Sequence, residues 1–191
     1  DIEKNWLKLK TFIKYHNSNS LRDDFINSSD DKYKLLNEFI SDSRKLNILV
    51  YGSGICGLFF SHTLKEKLGE LVNIIVYDNR IKSHGTLKSF SRDWLTCLPL
   101  EYFKGKINVD LYNLINKFSH KNFTGLPIYI LETLFFLHCK LQGTKFIFRE
   151  YIEIDKINKH SLSLIIDATG GRFEYKSKKK PEIQNHFIPS F

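Results

Sequence analysis

The chain has 191 residues, of which 42% are hydrophobic and 14% aromatic, enough to bury one substantial core and unlike a disordered chain. No apolar run approaches the roughly 20 residues that a membrane-spanning helix needs. The net charge of +8 comes from lysines dispersed among Asn and Ile, a pattern read as a solvated surface rather than a nucleic-acid face, since no RNA-binding signature interleaves aromatics with it.

The residues after Asp1 are charged and do not have the pattern of a secretory leader. The absence of any Met leads to the expectation of a fragment or a processed chain, which leaves a secretory history open. Cys56, Cys97 and Cys139 are scattered and form neither a disulfide framework nor a CxxC pair, so a reducing, cytoplasmic setting is expected.

Residues 1–45 read as a helical extension. Trp6, Leu7, Leu9, Phe12 and Ile13 form one apolar stripe, and Leu35, Leu36, Phe39 and Ile40 form a second. The polar stretch Asn17 to Asp31 separates them as a loop, with Asp30 or Asp31 as the cap of the second helix.

The next segment carries the chemistry. Asn47-Ile48-Leu49-Val50-Tyr51 is a short run rich in β-formers, as expected of a strand buried on both faces. It opens into Gly52-Ser53-Gly54-Ile55-Cys56-Gly57, a G-x-G-x-x-G turn. Gly52 allows the tight turn, Gly54 lets backbone approach a pyrophosphate, and Gly57 lets the following helix pack close to the sheet. That helix is predicted over 55–68, with Ser61 keeping its inner face small and its N-terminus aimed at phosphate. A second strand, 72–77, leads into Asp78, which lies 21 residues beyond Gly57, at the spacing of a ribose-binding acid. Strand, glycines, helix, strand and acid in this order specify a βαβ unit that holds a dinucleotide.

Residues 79 to about 107 have no sustained period and read as a long excursion. Leu111, Leu114, Ile115 and Phe118 recur at helical spacing. Pro127 and Gly143 bracket a strongly apolar helix from Ile128 to Gln142. Lys145 to Tyr151 alternates as a strand, and Ser163 to Asp167 reads as another buried strand running into Ala168-Thr169-Gly170. Lys176, Lys178, Lys179 and Lys180 lie in a basic tail, 176–191, which could contact a protein partner. The expected fold class is therefore α/β: a Rossmann-like domain with a parallel sheet over 46–175, preceded by the helical extension.

The histidines are scattered without HxxxH or HxH spacing, so no metal site is expected. His138 and Cys139 read as packed rather than reactive, and Cys56 as a small residue beneath a cofactor. There is no G-x-S-x-G elbow and no Walker A sequence.

Leu164-Ile165-Ile166-Asp167-Ala168-Thr169-Gly170 resembles the A-T-G segment of flavoproteins of the glutathione-reductase superfamily. Together with the glycine turn and its acid, it looks like the FAD-binding half of monooxygenases of the p-hydroxybenzoate hydroxylase type. The layout is most similar to the MICAL monooxygenase domain, through the preceding helices, Gly54-Ile55-Cys56-Gly57-Leu58 at the turn, and Arg80 just past the acid. The resemblance spans roughly residues 30 to 172. It implies FAD as cofactor, with NAD(P)H as electron donor and O₂ as oxidant. It places Gly52, Gly54 and Gly57 at the pyrophosphate and Asp78 at the ribose hydroxyls, with Ser53, Ile55, Cys56 and Asn79 also among the cofactor-binding residues. It puts Arg80 near the adenosine or a phosphate, Arg92 at a phosphate or the cofactor edge, and Asp167, Ala168, Thr169 and Gly170 beside the cofactor. Arg80 and Arg92 read equally as surface arginines, and Asp167 as the cap of a turn.

The chain departs from the family in two places. Tyr129 and Glu132 stand where an Arg or Gln is usual at the start of the helix 128–142, and no Gly-Asp dipeptide occurs anywhere. The substrate domain is missing as well, which fits a fragment of a longer flavoprotein whose substrate the sequence does not name. A nicotinamide dehydrogenase and a non-catalytic module that keeps the fold for interaction remain the alternatives.

Overall fold

A computed structural model describes residues 31–79, 90–148 and 156–170, together with Leu7 and Thr11. The rest of the first apolar stripe, Arg80, and the basic tail 176–191 lie outside the described residues. The elements in chain order are α1 (Asp31–Phe39), β1 (Leu46–Tyr51), α2 (Ile55–Leu68), β2 (Val72–Asp78), α3 (Val109–Lys117), β3 (Ser119–His120), β4 (Phe123–Thr124), α4 (Ile128–Leu141), β5 (Lys145–Phe148) and β6 (Leu164–Asp167).

Four strands form one sheet in the order β5-β2-β1-β6, and every pairing is parallel. Among these four strands, taken in chain order, the arrangement is third, second, first, fourth, the order of a doubly wound dinucleotide-binding half. Because side chains alternate across a strand, β1 sends Ile48 and Val50 to one face and Leu49 and Tyr51 to the other. The first face packs with Ile74, Val76, Phe146 and Phe148 against α2 and α4, through Leu58, Leu131, Leu134, Phe135 and Cys139. The second face, with Ile75, Tyr77 and Ile147, is covered by Tyr33, Leu36 and Ile40. The chain is thus α/β with a four-stranded parallel sheet between helical layers, compatible with a Rossmann-like fold.

Two expectations need correction. Leu35 is 45% exposed, and Tyr33 takes the inner position instead, because Tyr33, Leu36 and Ile40 fall at i, i+3, i+7 on one face. The strand after Ser163 is not buried. It pairs with β1 alone among the described residues, leaving Leu164 45% and Ile165 41% exposed. The strand expected over Lys145 to Tyr151 is present from Lys145 to Phe148, and residues 149–151 lie outside the described residues.

The excursion before α3 is a strap rather than a structureless loop. Its described part runs antiparallel to residues 122–129: Thr96 donates to the Leu126 carbonyl (3.0 Å), while Trp94 and Arg92 carbonyls accept from Ile128 (2.8 Å) and Tyr129 (3.0 Å). Leu95 and Pro127 form an isolated bridge within it. The β3–β4 hairpin turns through Lys121 and Asn122, both in the left-handed region (φ 48° and 66°) that a two-residue hairpin turn requires.

A histidine pair is enclosed where α2 meets α4. His62 is fully buried, its Nε2 accepts the Asn108 N–H (3.1 Å), and its ring meets His138 edge-on at 5.7 Å. Burial, and then the neighbouring His138, push His62 down to about 4, against a small upward pull from Gln142. The unfolded chain therefore takes up a proton near pH 6.5 that the fold accepts only near pH 4. Stability is complete above pH 6.5 and falls as pH drops through that window, by about 3 kcal/mol for a shift of this size. Urea melts at pH 7.5 and pH 4.5 check this, and His62→Gln is expected to flatten the acid slope.

Candidate dinucleotide site

All four strands of the sheet end on the same side, and the sequence switches from β2 on one flank of β1 to β6 on the other. Ligands of open α/β sheets bind at such a switch, outside the carboxyl ends of the strands. The glycine turn lies here. Gly52 donates to the Tyr77 carbonyl (2.7 Å), and Ala168 donates to the Tyr51 carbonyl (2.7 Å), so the ends of β1, β2 and β6 meet around it.

The three glycines are of two kinds. Gly52 has φ +99°, and a Cβ there would stand 2.7 Å from the Ala168 carbonyl oxygen. Gly57 has no room either, since a Cβ would run into the Gly52 carbonyl and lie 3.2 Å from Ala168 Cβ. These two are demanded by the chain's own packing. Gly54 is different. Its φ of −74° and ψ of 175° suit any residue, and the nearest atom to an added Cβ is Glu132 Oε1 at 3.7 Å, an ordinary contact. The fold itself does not require glycine at 54. A ligand that approaches the backbone there would.

Gly54 is the N-cap of α2, and as a glycine it brings no side chain to cap that terminus. Ile55 and Cys56 follow as its first two residues, and Cys56 is exposed at the helix start. Ser61 is buried and donates to the Gly57 carbonyl (2.7 Å), so the helix face next to the turn stays narrow.

Asp78 ends β2 beside the turn, where its Oδ2 accepts from both the Ser53 N–H and the Ser53 hydroxyl, each at 2.6 Å. The acid thus braces the glycine turn from the neighbouring strand. Asn79 follows it on the surface. At the end of β6, Asp167 Oδ1 accepts from the Thr169 N–H (2.8 Å) and hydroxyl (2.6 Å), which turns the chain after the strand. Gly170 continues that turn at φ +69°. Asp167, Thr169 and Gly170 therefore shape the loop, while Ala168 and the Thr169 backbone nitrogen stand against Gly52 and the Ala168 Cβ against Gly57.

Arg92 arrives on the strap, its backbone tied to the first turn of α4, and its Nη1 lies 4.0 Å from Glu132 Oε1. Glu132 is completely buried, although it stands outside the set of expected cofactor-binding residues. Tyr129 adjoins Arg92 through its N–H, and burial pushes its phenol above the usual range. The arrangement provides a helix N-terminus with a glycine at its N-cap, a backbone that can be approached closely, and a half-exposed guanidinium nearby.

Elsewhere, Cys139 is buried against the Leu58 carbonyl (3.5 Å), and burial pushes its thiol well up. Among the described residues no cluster of His, Cys, Asp and Glu could hold a metal ion, and no helix is long and apolar enough to cross a membrane.

Comparison of the sequence with protein-family models and with curated proteins finds no match.

Proposed function

We propose that this chain is the FAD-binding part of a flavin-dependent oxidoreductase of the monooxygenase type, using NAD(P)H and O₂, in a Rossmann-like domain preceded by a helical extension. The observation that carries the dinucleotide half of this reading is Gly54, a glycine at the N-terminus of α2 that neither its backbone angles nor its surroundings in the chain require. Support for FAD in particular comes from the Asp167-Ala168-Thr169-Gly170 segment, whose backbone stands directly against the first glycine.

In this reading the Gly54 backbone and the first N–H groups of α2 hold the pyrophosphate, and Arg92 adds a planar donor to it. Asp78 and Asn79 lie at the ribose side. When bound, the cofactor supplies the redox chemistry, a flavin able to take a hydride from NAD(P)H and to react with O₂. The chain's residues bind and orient it, and no acid or base among them is assigned a catalytic role.

A nicotinamide-dependent dehydrogenase is the second reading, because the Gly54 opening and the acid at the end of β2 serve either dinucleotide. Competition titrations separate them. FAD is expected to bind at least about tenfold more tightly than NAD⁺ or NADP⁺, a difference of about 1.4 kcal/mol. Tighter binding of the nicotinamide dinucleotides would favour the dehydrogenase, and binding of neither would favour a non-catalytic module.

A further inference from the structure

Glu132 is a carboxylate with no solvent exposure, placed by α4 directly behind the opening at Gly54. Burying a carboxylate this deeply is unfavourable unless a cation or strong donors compensate it. Among the described residues Arg92 is a cation that faces it, with Nη1 4.0 Å from Glu132 Oε1 and its side chain half exposed. Arg92 is held at this spot from its backbone as well, since its carbonyl accepts the Tyr129 N–H and the carbonyl of Trp94 accepts that of Ile128. A carboxylate facing an anion site on its own would repel the ligand. Paired with a guanidinium whose outer side stays open, it becomes an anchor that aims the cation.

Resting on the dinucleotide site proposed above, we infer that Glu132 is a positioning residue. It holds the Arg92 guanidinium beside Gly54, where the phosphate oxygens of the ligand lie. An arginine already fixed in place loses less side-chain freedom on binding than one that swings in solvent. Glu132 therefore acts through Arg92 and touches no ligand itself.

The test is a double-mutant cycle on the 191-residue chain, with FAD and ADP as probes and the melting temperature of the ligand-free protein as a control for folding. Arg92→Ala is expected to weaken FAD about 30-fold, as for loss of a charged hydrogen-bonding partner. Glu132→Gln is expected to weaken it about fivefold with Arg92 present and less than about twofold in the Arg92→Ala background, because the two act as one unit. Glu132→Asp keeps the charge but withdraws it by one methylene, and gives the same non-additive pattern should the Gln variant not fold.

Tighter FAD binding in Glu132→Gln would make the carboxylate a repeller, and equal weakening with and without Arg92 would make it merely structural. Either result overturns the inference while leaving the site standing. Wild-type binding of ADP without FAD would remove the flavin reading, and the cycle is then decided with ADP. Binding of neither probe would overturn the site and the inference together.

Discussion

Gly54→Val is expected to abolish FAD binding, by more than about 100-fold, while leaving the ligand-free protein folded. The reason lies in what surrounds the residue. Backbone angles of −74° and 175° are open to valine, and the closest atom to a new Cβ is Glu132 Oε1 at 3.7 Å. The cost to the ligand-free fold is therefore about 1 kcal/mol or less, the scale of a weaker N-cap. The ligand meets a branched side chain where it needs bare backbone. Gly54→Ala should fall between, with the fold untouched and the affinity partly lost. Flavin fluorescence titrations beside thermal melts give both quantities. Unchanged affinity in Gly54→Val would remove the pyrophosphate from this position.

Gly57→Ala is expected to do the reverse and damage the fold first. A Cβ at 57 overlaps the Gly52 carbonyl and presses on Ala168 Cβ at 3.2 Å, and both neighbours are held by the junction of β1 and β6. Neither is the free end of a flexible side chain, so α2 must lift from the sheet. The expected loss is about 3 kcal/mol, near the upper end for overpacking, or a fall of roughly 10 °C in melting temperature for a chain of this size. Gly52→Ala should be comparably harmful, since its φ of +99° adds strain to a clash of 2.7 Å with the Ala168 carbonyl oxygen. Calorimetry of the three variants thus separates glycines required by the chain from the one left for a ligand. A Gly57→Ala protein of wild-type stability would contradict the packing of α2 on the turn.

The parts of the fold that were legible in the sequence are those with local causes. The first strand, its helix and the second strand follow from an apolar run, a glycine turn and a helical period, and the helix limits of 55 and 68 are those observed. The long apolar helix was bracketed by Pro127 and Gly143, and it ends one residue earlier than expected, at Leu141, with Gly143 at φ +81°. What escaped is what depends on distant partners. Leu164-Ile165-Ile166 has the composition of a buried strand, but composition does not say how many strands flank it, and β6 has only β1 beside it among the described residues. Arg92 is placed by backbone bonds to Tyr129, a pairing with no periodic signature. The β3–β4 hairpin escaped too, since its turn is Lys121-Asn122 rather than a glycine pair.

The candidate site divides along the same line. Gly52, Gly54, Gly57 and Asp78 were placed by spacing alone and meet at the carboxyl ends of the strands. Asp167 could be read either as a cofactor neighbour or as a turn cap, and its carboxylate is engaged with Thr169. Glu132 stood out only as a mismatch on an apolar helix, and its burial beside Arg92 needs the packing of α4 on the strap to be seen.

The most direct test of the account is the absorbance spectrum of the purified chain after incubation with excess FAD and removal of the unbound cofactor. The purified chain is expected to retain flavin bands at about one FAD per chain, to release FAD on denaturation, and to lose the bands in Gly54→Val while its melting temperature holds. A colourless wild-type protein that is folded by the same melt and retains no FAD would contradict the account.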